Sequence, residues 1–394
     1  MAIDPDEPFN SIPDVDETFA EKIDFRQSLA SSNWLSPGEH YQRMPQVTRQ
    51  EVDKVVKSDE RMRTELRKHY FPQLNATGTW KLKRRDDGIV KQLQEKQLYT
   101  GRVVAADGTL ARYETLSMVG AQIAVAQVGY QGSTGQYVSN IEHWGKEVGR
   151  SINLKELTEA MSSRGKRAKQ KINNVLLQSI MQYKEREVLL NLGPQVFKLI
   201  HGPLFPYEML VGGGAANTLQ MCLDLLGRLI DDGAYATIVS SSMDRDLMVL
   251  GMALEPGEYA VRRSGKEILQ SFRDRANFTY ASVEDYGDQS EVKLFDNFIA
   301  AYGTKVVEGV LRAHQMSRPY IFYCNSQNLH KAVHMLFADA AHTGPRGFPL
   351  LIDLADQYCS GSFKASEYTA YMNAEFTRAS GGSGVYLSER ATRD

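Results

Sequence analysis

The chain has 394 residues, 42% hydrophobic and 24% charged, enough for one large or two ordinary domains with a substantial buried core. A formal charge of −2 excludes a polycation drawn indiscriminately to nucleic acid, so any DNA contact must come from local patches. Cys222, Cys324 and Cys359 lie far apart without metal-ligand spacing, no run is apolar enough to span a bilayer, and the acidic start Met1-Ala2-Ile3-Asp4 lacks a secretory pattern, so a cytoplasmic protein without membrane contact is expected.

Residues 1–25 carry Asp4, Asp6, Glu7, Asp14, Asp16, Glu17 and Glu21 with three prolines, and read as a mobile acidic leader or an arm that orders on a partner. Residues 26–98 read as a helical N-terminal extension. Its 48–69 stretch mixes Arg49, Lys54, Lys57, Arg61 and Arg67 with acids on a helical pattern. Near its end Lys81, Lys83, Arg84 and Arg85 cluster beside Trp80. An aromatic next to cations can stack a base and neutralise phosphates, although a buried Trp with snorkelling neighbours explains it equally well.

The run Arg102-Val103-Val104-Ala105-Ala106-Asp107-Gly108 predicts a strand with Asp107 at its carboxyl end, and 122–128 predicts a second strand. Such an aspartate can hold a divalent cation while the glycine lets the backbone turn beneath it. The competing reading is a plain Asp-Gly turn. Residues 152–192 have the spacing of one long helix or two, with an expected break at Gly165 leaving a basic knuckle of Arg164, Lys166 and Arg167. Glu185 falls on the apolar stripe of Leu177, Met181, Leu189 and Leu192. A carboxylate there needs a partner, either an arginine or a metal, and Glu187 on a neighbouring face is the second choice.

The run 196–204 predicts another strand, with His201 standing where Asp107 stood in the first. Gly212-Gly213-Gly214 enters the helix 219–230 without a Walker lysine, and reads as a loop. A strand is expected at 236–240, a helix at 244–254, an insertion at the edge of the core around 255–300, a helix at 305–315, a strand at 320–324 and a helix at 328–341. His330 and His334, at i and i+4, are either a metal clasp or two helix-surface histidines. Phe348 to Asp356 is an apolar helix-like run whose acids, Asp353 and Asp356, need something positive to face.

Four features stand in one order: a strand ending in Asp-Gly-Thr at 107–109, an acidic helix around Glu185, a strand ending in Gly-Pro-Leu at 202–204, and a late Gly-Phe-Pro-Leu…Ala-Asp ending at Asp356. Over roughly residues 100–360 that series resembles the NurA family, nucleases that partner the hexameric HerA DNA translocase. The resemblance implies an α/β fold with an RNase H-like mixed sheet framed by helices across residues 99–394. It implies a homodimeric DNA nuclease using manganese or magnesium, in DNA repair or in antiviral defence. Asp107 matches the family's first metal-binding aspartate, Glu185 or Glu187 its helix glutamate, Asp356 its late polar residue, and Phe348 a position that is Tyr in some members. His201 departs from the usual aspartate, and Ser240-Ser241-Ser242-Met243 stands where the family often has a lysine.

The implied set of catalytic residues is Asp107, Glu185, Glu187, His201 and Asp356, with Asp107, Glu185, His201 and Asp356 on the metal, and Lys83, Arg84, Arg85, Arg164, Lys166 and Arg167 on DNA. A HerA-type ATPase is the implied partner, because this chain has no nucleotide-binding Gly-x-x-x-x-Gly-Lys motif of its own. The acidic leader is a plausible docking arm for it. The rival reading is a catalytically degenerate DNA-binding scaffold of a translocase complex, which His201 favours. A third is an unrelated α/β protein.

Overall fold

The computed structural model describes residues 37–76, 81–114, 118–143, 163–211, 216–240, 244–275 and 289–379. The acidic leader, Trp80, the glycine loop 212–214 and the tail from 380 lie outside them. Contacts divide the chain between Glu65 and Leu66. In the first unit, helix α1 (Pro37–Glu65) is described, with Tyr41, Val52, Val55 and Val56 exposed. The second unit takes in residues 66–98, which the sequence groups with the N-terminal extension.

The second unit is a mixed α/β fold. After α2 (Phe71–Ala76) come β1 (Lys81–Arg84), α3 (Asp87–Leu93), β2 (Val103–Glu114), β3 (Met118–Gly129), β4 (Gly132–His143) and α4 (Ser163–Leu190). Then follow β5 (Phe197–His201), α5 (Tyr207–Leu210), α6 (Ala216–Asp232), β6 (Tyr235–Val239), α7 (Arg245–Met252), β7 (Glu258–Ser264) and α8 (Gly265–Arg275). The chain closes with α9 (Gln289–Tyr302), β8 (Val306–Arg312), β9 (Tyr320–Asn325), α10 (Leu329–Ala340), α11 (Leu350–Ser362) and α12 (Ala365–Ala379). The nine described strands form one sheet in the order β1-β7-β8-β9-β6-β5-β2-β3-β4. β2, β3 and β4 are an antiparallel meander, β5 lies parallel to β2, and β6 lies parallel to β5.

Both faces of the sheet are covered. Leu189 of α4, Leu223 and Leu226 of α6 and Phe295 of α9 join Ile200, Val306 and Ile321 in one apolar cluster. Leu336 and Phe337 of α10 and Leu351 and Ile352 of α11 join Val103, Leu199, Ile238 and Phe322 in a second. This is why β9 reads Tyr-Ile-Phe-Tyr-Cys without alternation: a strand buried on two faces has no solvent side. α6 shows the opposite pattern, with Leu219, Cys222, Leu223, Leu226 and Ile230 one or two turns apart on a single buried stripe. Among the described residues no helix is long and apolar enough to cross a membrane.

Four local expectations are corrected. Asp107-Gly108 is neither a strand end nor a turn: both residues pair with β3, opposite Ala126 and Val125, and the strand continues to Glu114. The helix expected at 305–315 is the strand β8, because three of its four apolar residues, Val306, Val307 and Val310 but not Leu311, are β-branched and the segment lies between β7 and β9. The 255–300 stretch supplies β7, second from the edge of the sheet, and α9, whose Phe295 is fully buried, so it belongs to the core. Gly165 does not break α4, which runs through it from Ser163. Its place in the first turn, where amide groups lack intrahelical partners anyway, makes a glycine cheap.

The centre of β8 also sets a packing limit. A methyl group on Gly309 would overlap the Ala260 carbonyl oxygen and stand 2.5 Å from Phe322 Cζ. Backbone in a sheet ladder cannot step aside, so Gly309→Ala is expected to destabilise by about 3 kcal/mol, the upper range for overpacking. Chemical denaturation should show a lower midpoint with an unchanged slope.

Candidate active site

β5 ends at His201 while its parallel neighbour β2 runs on, which leaves a notch in the sheet beside Asp107 and Gly108. Three elements bring polar side chains to it. From β5, His201 Nδ1 lies 3.2 Å from Asp107 Oδ2. Asp107 Oδ1 accepts the Gly108 amide at 2.9 Å. From α4 on the opposite face, Glu185 reaches the same amide, and a methyl group on Gly108 would stand only 2.6 Å from Glu185 Oε1 and 2.6 Å from Met181 Cγ. The glycine after Asp107 therefore serves close approach of a helix and not a turn.

Glu185 is 4% exposed, and its carboxyl is pushed up to about 8. Burial is the main cause, the nearby Asp107 charge adds to it, and Arg186, His201 and the Gly108 amide oppose it. Arg186, equally buried, stands 3.5 Å from Glu185 Oε2, but its guanidinium also donates to the carbonyls of Gln182 at 2.9 Å and Pro203 at 2.7 Å. It thus ties α4 to the turn that leaves β5. The His201 ring is raised above the ordinary histidine value: burial disfavours its charge, but the hydrogen bond and charge of Asp107, helped by Glu185 and Asp356, outweigh it.

Asp356 is exposed on α11, which packs across β2. It acts on His201 and Asp353 through its charge. Phe348, 1% exposed, sets its ring edge-on to His201 at 5.9 Å. Glu187 points elsewhere and pairs with Lys184 at 2.6 Å, so of the two helix glutamates it is Glu185 that reaches the notch. Ser240, just past β6, places Oγ 2.8 Å from His201 Nε2. The sequence places Ser240 at the end of the strand expected at 236–240 and in the stretch where the family often has a lysine, but assigns it no role; its position at the end of a short apolar strand is the same signal that marks His201.

Among the described residues no group of three or more His, Cys, Asp or Glu side chains assembles as a metal cage. His330 and His334 are not a clasp: His334 Nδ1 donates to the His330 carbonyl at 2.6 Å and Nε2 accepts the Asp86 amide at 2.9 Å, so both nitrogens are engaged. Of the expected DNA contacts, Lys83 is exposed on the edge strand β1, Arg84 pairs with Glu255, and Arg85 pairs with Asp87 and lies over the Phe337 ring. The side chains of Arg164, Lys166 and Arg167 lie outside the described residues.

No protein-family model matches the chain, and no curated protein matches it. Among solved structures it is similar to the NurA nuclease from Sulfolobus solfataricus, with TM-score 0.45 and 12% identity over 87% of this chain and 98% of that one. It is also similar to NurA with manganese, with TM-score 0.44 and 10% identity over 82% and 98%. A third is NurA bound to dAMP and manganese, with TM-score 0.45 and 11% identity over 86% and 98%. At such scores and identities these likenesses lend no weight to a function.

Proposed function

We propose that this chain is a metal-dependent deoxyribonuclease of NurA type, working in the cytoplasm on DNA as a homodimer with a HerA-type ATPase. The observation that carries the reading is the approach of Asp107 and Glu185 to one buried notch, where the Asp107 charge adds to the cost of ionising Glu185. The sheet order supports an RNase H-like core: an antiparallel meander, β4-β3-β2, continued by the parallel pair β5 and β6. The acidic leader as a docking arm, and a role in DNA repair or antiviral defence, extend the same proposal.

The donors fit a divalent cation in kind, because carboxylate oxygens suit manganese and magnesium, and the surplus negative charge that Glu185 now offsets with a proton is what such an ion would neutralise. Asp107 and Glu185 would hold it, with Asp356 contributing charge from α11. When bound, the ion supplies Lewis-acid stabilisation of charge on a scissile phosphate. Gly108 lets α4 bring Glu185 close against β2 beside Asp107, and Arg186 fixes the turn after His201. Exposed Lys83 on the sheet edge gives sequence-independent attraction to a phosphate backbone.

A second reading, a DNA-binding scaffold without catalysis, is favoured by Arg186 beside Glu185 and by His201 on Asp107, which occupy carboxylate oxygens that a cation would need. Linear duplex and single-stranded DNA incubated with manganese, with magnesium and with chelator separate the two. Metal-dependent cleavage supports the nuclease. Tight binding with no cleavage under any condition selects the scaffold, and neither binding nor cleavage overturns both.

A further inference from the structure

Asp107, His201 and Ser240 stand on or just past three neighbouring strands, β2, β5 and β6, and are hydrogen-bonded in series. The chemistry of the partners assigns the protons. A carboxylate only accepts, so the ring nitrogen facing Asp107, Nδ1, carries the hydrogen, and whenever the ring is neutral Nε2 offers a lone pair to the Ser240 hydroxyl. Carboxylate, oriented imidazole and hydroxyl in that order make the arrangement by which an unactivated serine becomes a nucleophile. It is recognised by geometry and not by fold. The His201 side chain is 33% exposed and Ser240 is half-buried, so a reagent can reach the hydroxyl.

We propose that in the metal-free chain Ser240 is a catalytic nucleophile towards phosphoric esters, with His201 as its base and Asp107 as the residue that orients His201. As Ser240 Oγ bonds to phosphorus, its proton passes to His201 Nε2. The bond from phosphorus to the leaving oxygen breaks, and that oxygen takes the proton from Nε2. Water then attacks the phosphoseryl group by the reverse path, returning the hydroxyl. No cation, oxidant or reductant enters. The activity goes beyond the metal-dependent reading and does not depend on it.

The test uses the full-length chain in chelator, without DNA, and a fluorophosphonate probe, in which the P–F bond breaks as the seryl bond forms. Fragment mass spectrometry should place the adduct on Ser240 and not on Ser241 or Ser242. Ser240→Ala should abolish it, and His201→Gln and Asp107→Asn should slow it by at least ~10²-fold, given what loss of a member costs such a relay. A Ser240→Cys chain gives a second readout that needs no hydroxyl chemistry. Cys222, Cys324 and Cys359 are all buried, so iodoacetamide should alkylate the new thiol first, and adding His201→Gln should slow that step. No adduct on Ser240, or a labelling rate unchanged by His201→Gln in a chain that still melts cooperatively, would overturn the proposal. Because DNA cleavage with manganese is not read, this outcome is separate from that of the nuclease assay.

Discussion

Asp107→Asn is expected to lower metal-dependent DNA cleavage by roughly 10³-fold or more, the scale on which loss of a preorganised charge at a reacting phosphate is felt. The substitution is nearly isosteric, and an amide oxygen can still accept the Gly108 amide hydrogen that Asp107 Oδ1 accepts at 2.9 Å. What it removes is the negative charge that a cation needs and that His201 faces at 3.2 Å. Cleavage of a labelled linear duplex under single-turnover conditions gives the rate, and a melting curve shows whether the fold survives. A variant that melts like the wild type yet cuts within threefold of it would remove Asp107 from the chemistry. Glu187→Gln serves as the contrast, since Glu187 pairs with Lys184 on another face and its loss should leave the rate unchanged.

The second large effect is on stability. In chelator, Glu185→Gln is expected to make the chain more stable than wild type at pH 9 and close to it at pH 4, by a difference on the order of 3 kcal/mol. The sign follows from the direction of the shift. The Glu185 carboxyl is pushed up to about 8 from an ordinary 4.5 by burial and by Asp107, so folding takes up a proton between those values. The stability linked to that proton is fully present below about 4.5 and is lost as pH rises through about 8. Glutamine mimics the protonated form and cannot ionise, so its stability should lack that fall. Urea denaturation at pH 4, 7 and 9 measures both profiles, and parallel curves would mean that Glu185 keeps an ordinary affinity for its proton in the fold. Manganese should add stability to wild type at pH 9 and less to Glu185→Gln, because a ligand stabilises only the state that binds it.

Much of the architecture was legible in local pattern. Runs of apolar and β-branched residues marked β2, β5, β6 and β9, and the single buried stripe marked α6, because those elements are short-range consequences of side-chain period and burial. Polar residues interrupting such runs pointed to Asp107, Glu185 and His201, since a charge on an apolar face must have a partner. The same logic failed for β8, where the four apolar residues among the seven from Val306 to Arg312 fit a buried helix as well as a buried strand, and only β7 and β9 on either side decide between them. It failed again at Gly108, where a glycine after aspartate reads locally as a turn, and only the approach of α4 reveals what the missing Cβ is for.

By itself, then, the sequence determined which residues had to find partners and the α/β class of the fold, both properties of neighbours a few positions apart. The tertiary structure alone decided who those partners within the chain are: His201 on Asp107, Arg186 beside Glu185, Ser240 on the far nitrogen of His201. The reason is physical. The contact between His201 and Asp107 spans 94 positions of chain and that between His201 and Ser240 spans 39, and their geometry is set by strand order and by where β5 stops beside β2, which no local period encodes.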